Sequence, residues 1–288
     1  MRSHAATMIG AATLNIGLFM TSAAVAQQPV CEPDKIAQKY PGLAGRTIKI
    51  GVDPQTPPYV MRDAADFTKV IGVDADLARA VFTCAGVKHE FFLGGWSGLL
   101  PAVMSGQIDV MWDNLYYKPE RAKSVDLILY MKAGTGALVP AGNPQNITKK
   151  DDLCGRTVSY GVGSVEDVTM KEQDKVCRAG GLPGVNVMPF QDLASGLRLL
   201  DNSRTDVLLW DLGFVDATAS SNPKKYARGF ATYSGLIIAA AVKKGDSDLA
   251  AVIHDGLAIL QSKGEQKAIF QKYGVDPGLE VSTQVKTN

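Results

Sequence analysis

Gly45-Arg46-Thr47-Ile48-Lys49-Ile50-Gly51-Val52 returns 110 residues later as Gly155-Arg156-Thr157-Val158-Ser159-Tyr160-Gly161-Val162. A second echo follows in the same order. Ser97-Gly98-Leu99-Leu100 and Ile108-Asp109-Val110-Met111-Trp112-Asp113 are matched by Ser195-Gly196-Leu197-Arg198 and Thr205-Asp206-Val207-Leu208-Leu209-Trp210-Asp211. Two echoes in one order predict two lobes built on one plan. Thr47–Val52 reads as a short β-rich strand closed by the Pro-rich turn Asp53–Pro58. A helix opens at Gly72-Val73 and runs to Cys84, with apolar residues at 73, 77, 80 and 81. Lys88–Phe92 is the next strand, Leu99–Met104 a helix and Ile108–Trp112 a buried strand. The second lobe repeats this with strand Thr157–Val162, helix Val165–Cys177, strand Val185–Pro189, helix Leu193–Asp201 and strand Asp206–Trp210. Strands alternating with helices predict an α/β fold with parallel-type mixed sheets covered on both faces.

The chain crosses between lobes twice. The extended apolar runs Gly134–Val139 and Ser234–Ala241, each entered through Gly, are the two expected hinge strands. Lobe one is then 27–136 completed by 238–288, and lobe two is 137–237. Two amphipathic helices, Asp248–Lys263 and Glu265–Tyr273, close lobe one from the C-terminal side.

Composition narrows the function. The 288 residues include 30 Lys+Arg against 29 Asp+Glu, so no basic excess draws a nucleic-acid backbone. Residues 1–26 have a basic start at Arg2, a mostly apolar centre from Met8 to Met20 and the small-x-small site Ala24-Val25-Ala26. That is the pattern of a cleaved secretory signal peptide. A membrane anchor needs ~20 apolar residues, and Thr13, Asn15 and Thr21 interrupt this shorter run. Export implies the periplasm, and the loss of Arg2 leaves 29 basic and 29 acidic side chains. A neutral exported chain does not advertise a membrane surface or a polyanion as its partner.

Export also makes disulfides the better reading of the four cysteines. Four cysteines allow three pairings, and the repeat selects one. Cys31 precedes the first strand of lobe one and Cys84 ends the following helix; Cys154 and Cys177 hold the matching places in lobe two. The expected bonds are Cys31–Cys84 and Cys154–Cys177. No CxxC pair or Cys/His spacing suggests a metal, and no phosphate loop suggests a nucleotide; no cofactor is expected.

The run Trp96-Ser97-Gly98-Leu99-Leu100-Pro101-Ala102, Gly106-Gln107-Ile108-Asp109-Val110 and Lys118-Pro119-Glu120-Arg121-Ala122 is similar to W-x-G-L-I-P-A-L-x-x-G-x-x-D followed by T-x-E-R. With Gly72-Val73-Asp74-Ala75-Asp76-Leu77-Ala78 and the closing Lys263-Gly264 and Lys272-Tyr273-Gly274, it resembles the extracellular solute-binding proteins of the polar amino acid type, which serve ABC importers. The resemblance covers nearly all of 45–275. It implies a type II periplasmic fold with a ligand cleft between two lobes, a membrane permease as partner and a small zwitterion as ligand. A monomer is expected.

In open α/β sheets, ligands bind beyond the carboxyl ends of strands. Those ends carry Asp53, Asp113, Asn114, Gly163, Ser164 and Asp211. The resemblance assigns Arg121 to the ligand's carboxylate, which suits a rigid guanidinium fork; the alternative is a surface pair with Glu120 or Asp126. It assigns Asp211 to the ligand's ammonium, against a plain helix N-cap. Gly163 and Ser164 stand at a helix start that favours an anion, although Ser164 as a cap serves equally. Asn114 and Tyr116 fall where relatives carry small polar groups, and Tyr116 is the larger departure. Thr56 falls where some relatives place an aromatic lid. Trp96 either stacks on the ligand or packs in the core; Trp112 and Trp210 read as core. Asp53 either holds a cationic group or caps the Pro-rich turn.

Catalysis is the weaker reading. His89 and His254 lie near no nucleophile, and Gly95-Trp96-Ser97-Gly98 misses the nucleophile-elbow spacing. A periplasmic cyclohexadienyl dehydratase shares the implied fold, and Glu166 or Asp167 would be its general acid. An accessory or sensor role is the third alternative. The sequence is read as a binding protein and not as an enzyme.

Overall fold

The computed structural model describes Met1 and residues 30–288 apart from Gly163. The signal segment, Met1 aside, and Gly163 therefore lie outside the described residues.

The first half follows the expected order: β1 (Thr47–Val52), α1 (Val73–Ala85), β2 (Lys88–Leu93), α2 (Trp96–Ser105) and β3 (Val110–Tyr116). A long strand β4 (Val125–Pro140) leads into the second half. There β5 (Thr157–Ser159), α3 (Val165–Ala179), β6 (Asn186–Val187), α4 (Leu193–Asp201), β7 (Val207–Asp211) and α5 (Leu212–Ser221) follow. A second long strand β8 (Tyr226–Lys243) returns, and α6 (Ser247–Ser262), α7 (Glu265–Lys272) and β9 (Glu280–Lys286) close the chain.

Within each half the repeated strands are parallel: β1 to β2 and β3, and β5 to β6 and β7. The sheet as a whole is mixed. One nine-stranded sheet runs β2-β1-β3-β8-β4-β7-β5-β6, with β9 added to β4. Both crossing strands are longer than their apolar runs suggest. β8 pairs antiparallel with β3 through Ile238–Val242, whereas β4 pairs antiparallel with β7 through Thr135–Leu138. The β4–β8 register shifts between Tyr233 and Ile237. A two-strand ribbon thus carries the sheet from one half to the other.

Alternation along the strands sorts the core onto two faces. In the first half, Ile48, Ile50, Val52 and Trp112 pack with Val81 of α1 and Ile253 of α6. Met111 and Leu115, on the other face of β3 from Trp112, pack with Leu99 and Val103 of α2. In the second half, Val158 and Leu209 pack with Met170 and Cys177 of α3, while Leu208 meets Leu200 of α4 and Phe214 of α5. Both expected disulfides are present, Cys31–Cys84 and Cys154–Cys177, spanning 53 and 23 residues. Each closes one half, and such a crosslink stabilises by ~2–4 kcal/mol.

Candidate ligand cleft

The carboxyl ends of β1, β3 and β7 and the starts of α2 and α3 surround one cavity of about 370 Å³. Its lining includes Arg121, Asp211, Ser164, Asn114, Tyr116, Trp96, Asp53 and Thr56, so every described site residue expected from sequence borders the same space.

Arg121 sits in the short helix Pro119–Ala122 and is half-buried. Its Nη1 donates to the carbonyl of Tyr116 at 2.5 Å, and its guanidinium lies 5.8 Å from the Trp96 ring centroid. No carboxylate of the described residues lies within ion-pair distance of it, and Asp126 pairs with Lys244 instead. Burial pulls its guanidinium below its ordinary value. A cation held this way with most of its donors unused is built to take an anion. Lys118, one turn earlier, lines the same wall. Burial first, and then the like charge of Arg121, depress its ammonium.

Asp211, 4% exposed, lines the same cavity. It caps α5 by accepting from the Phe214 N–H at 3.1 Å, as the cap alternative held. It also accepts from the Tyr116 hydroxyl at 2.9 Å and from the Tyr59 hydroxyl. Tyr59 and Tyr116 both belong to the first half, so Asp211 ties the two halves together. Burial raises its carboxyl to about 6, against the opposing pull of these donors. Both phenols are pushed well above their ordinary value, chiefly by burial, so they remain donors.

Ser164 caps α3 through its hydroxyl, 3.2 Å from the Glu166 N–H. Glu166 is 3% exposed and lines the cleft. Asp167, the other carboxyl considered for acid catalysis, turns away to Tyr160 and Lys171. Asn114 takes the left-handed conformation at φ 46°, which Asn tolerates better than most residues. Its N–H is held by Asp74 at 2.7 Å, and its Oδ1 is buried without a hydrogen-bond partner. Asp74 also accepts from the Tyr130 hydroxyl at 2.6 Å, and burial raises its carboxyl to about 7.

Asp53 resolves toward its structural alternative. Oδ1 accepts from the Gln55 N–H at 3.0 Å and Oδ2 from the Trp96 N–H at 2.9 Å, so both oxygens serve the Pro-rich turn and the start of α2. Thr56 donates toward Asp113 Oδ1 at 2.6 Å. Trp96 is 36% exposed, with Nε1 on the Asp113 carbonyl at 2.9 Å; it is a wall of the cleft and not core. Trp112 is core as expected. Trp210 is not: it lines the cleft, 5.5 Å from the Phe190 ring. The sequence reading missed Trp210, Phe190, Lys118 and Tyr59. Adjacency to Asp211 and to the Arg121 turn was a usable signal for Trp210 and Lys118. Nothing local marked Tyr59, whose partner is distant in sequence.

Comparison with known proteins agrees with this architecture. The model of the bacterial extracellular solute-binding proteins, family 3, matches residues 48–276. The L-cystine-binding protein TcyJ of Escherichia coli strain K12 is 28% identical over 233 residues, covering 80% of this chain and 84% of that one. A solved ancestral arginine-binding protein bound to glutamine superimposes with a TM-score of 0.69 at 30% identity, covering 79% of this chain and 97% of its own. An ancestral amino acid-binding protein described as a precursor of cyclohexadienyl dehydratase gives 0.68 at 25%, covering 84% and 98%. Two lobes, two crossing strands and a cleft between them are the type II periplasmic binding fold of these neighbours. This chain belongs to the bacterial extracellular solute-binding proteins of family 3.

Proposed function

We propose that this protein captures a small zwitterion, an amino acid or close relative, in the periplasm and presents it to the permease of an ABC importer. Arg121 carries the reading: it is a half-buried guanidinium without a carboxylate partner among the described residues, in a cleft lined from both halves. Arg121 and the start of α3, where Gly163 and Ser164 stand, take the carboxylate. The acidic wall of Asp211 and Glu166, with Asn114, takes the ammonium. Trp96 and Tyr116 flank the ligand, with Thr56 at the rim and Asp53 holding the α2 start in place. Relatives named for binding cystine, arginine or glutamine support this ligand class.

The lobes of this proposal are 27–136 with 238–288, and 137–237, after cleavage behind Ala26. A ligand touching both lobes favours the closed form by its differential affinity for that form. The protein acts as a monomer and without turnover.

Calorimetric titration and thermal melts with L-cystine, L-arginine and L-glutamine test this. A ligand at a hundred times its Kd stabilises by ~2.7 kcal/mol, and Arg121→Ala should abolish the shift. Equal responses of wild type and variant to every ligand would remove the reading. Glu166 in the cleft gives the dehydratase alternative its one supporting observation. Product formation from prephenate or arogenate would favour that alternative.

A further inference from the structure

The acidic wall holds two carboxyl groups, and they are not equivalent. Asp211 already receives three donors of its own chain: the Phe214 N–H, the Tyr116 hydroxyl and the Tyr59 hydroxyl. A carboxylate offers about four lone-pair sites, so little of Asp211 is left for a guest. Glu166 is as deeply buried but far less occupied. The Thr135 hydroxyl donates to its Oε1 at 2.6 Å, and no other donor among the described residues reaches the carboxylate.

The backbone fixes where Glu166 lies. Thr135 is on β4, directly opposite Asp211 of β7 in the register. Its hydroxyl therefore holds Glu166 beside Asp211, in the cavity that Arg121 and Lys118 also line, where its charge reaches the Lys118 ammonium without a hydrogen bond between them. Glu166 also sits in the first turn of the fifteen-residue helix α3, where the helix dipole favours negative charge. A buried carboxylate with free lone pairs is costly unless something pairs with it. The Asn114 Oδ1, buried and unpartnered, borders the cavity as a second acceptor without a donor. The cleft thus leaves two acceptors open, and neither belongs to Asp211.

We propose that Glu166 receives the ligand's ammonium, and that Asp211 is a positioning residue that holds Tyr59 and Tyr116 across the two halves. This rests on the binding reading above and deepens it. It predicts that the affinity difference between an amino acid and its deaminated counterpart depends on Glu166.

The test titrates L-arginine, L-glutamine and L-cystine, and then guanidinopentanoate, glutaramate and dithiodipropanoate, into wild type, Glu166→Gln, Asp211→Asn and Arg121→Ala. In wild type, loss of the ammonium should weaken binding about 30-fold or more, as removal of one partner from a buried charge pair does. Glu166→Gln should lose a similar factor with the amino acid yet bind the deaminated compound as wild type does. Asp211→Asn should weaken both compounds by one common factor, and its ligand-free melting temperature should vary less than wild type's between about pH 4 and 6. Glu166→Asp, which keeps the charge but draws it back by one methylene, should retain more discrimination than Glu166→Gln. This second variant also serves if Glu166→Gln fails to melt cooperatively.

The proposal is overturned if Glu166→Gln weakens both compounds equally, or if Asp211→Asn alone erases the discrimination. In either case, continued weakening of all ligands by Arg121→Ala leaves the binding reading standing. If no probe binds wild type, or Arg121→Ala binds as wild type does, the binding reading falls and this proposal falls with it.

Discussion

Trp112-Asp113 and Trp210-Asp211 are the same dipeptide in the two copies of the repeat, yet they meet different fates. Trp112 is fully buried, edge-on to Phe82 at 6.3 Å and 5.9 Å from Tyr130. Trp210 lies along the cleft against Phe190. The repeat-related glycines show why. A Cβ on Gly51 would come 2.3 Å from the Ile108 Cδ1, whereas a Cβ on Gly161 would come 2.3 Å from the Trp210 Cζ3. Each glycine makes room for a neighbour, an aliphatic one in the first half and an indole in the second. The acids differ likewise. Asp113 is held inside its own half by the Thr56 hydroxyl and the Asp53 N–H, both at 2.6 Å. Asp211 is held largely by hydroxyls from the other half. A repeat fixes strand order and direction, but the residue on the next strand decides which copy becomes core and which becomes site.

Truncating the two tryptophans should separate the copies most sharply. Trp112→Ala should destabilise by ~3–5 kcal/mol, the range for large aromatics in a core, measured by urea unfolding. Trp210→Ala should lose less stability and more ligand affinity. Equal stability losses would break the comparison.

The paired acids give a pH signature. Asp211 titrates near 6 in the folded state against an ordinary value of 3.8, so the unfolded chain releases this proton first as pH rises. Asp211 therefore withdraws stability between about pH 4 and 6, at about 1.4 kcal/mol per unit, and its own contribution is constant above. Asp211→Asn, which still caps a helix well, should flatten that stretch in thermal melts. Burial pushes Asp113 well above its usual value, so Asp113→Asn should flatten the profile further up the pH scale.

The smallest effect belongs to the glycines. Gly51→Ala forces a methyl against Ile108 in the core and should cost ~1–3 kcal/mol of stability. Gly161→Ala should displace the Trp210 ring and weaken binding about tenfold, equivalent to ~1.4 kcal/mol. A loss of stability without a loss of affinity in Gly161→Ala would show that Trp210 is not a wall of the site.

Much of this was legible along the chain. Thr47–Val52 and its echo are visible because β-branched and aliphatic residues bounded by Gly are a local signal. The cysteine pairing followed from the positions of the cysteines within the repeat. Arg121 and Ser164 could be placed at the cleft because a turn and a helix start position their polar atoms locally. The mixed sheet and the two-strand hinge were expected, but the length over which β4 and β8 run together through both halves was not. Their apolar stretches look the same whichever neighbour they pair with. Trp210 was misplaced because burial depends on the occupant of Gly161's strand, 49 residues away in sequence.

By itself, the sequence determined that there are two lobes, the order of their elements, the disulfide pairs and the strand ends that border the cleft. Those features depend on periodicity and short-range chemistry. Only the tertiary structure decided which carboxyl is free. Asp53, Asp113, Asp211 and Glu166 are all acids beyond strand ends or at a helix start, and nothing local ranks them. Backbone amides, Thr56, Tyr59 and Tyr116 fill lone pairs of the first three, and apart from the local Gln55 and Phe214 amides those donors arrive from elements far along the chain.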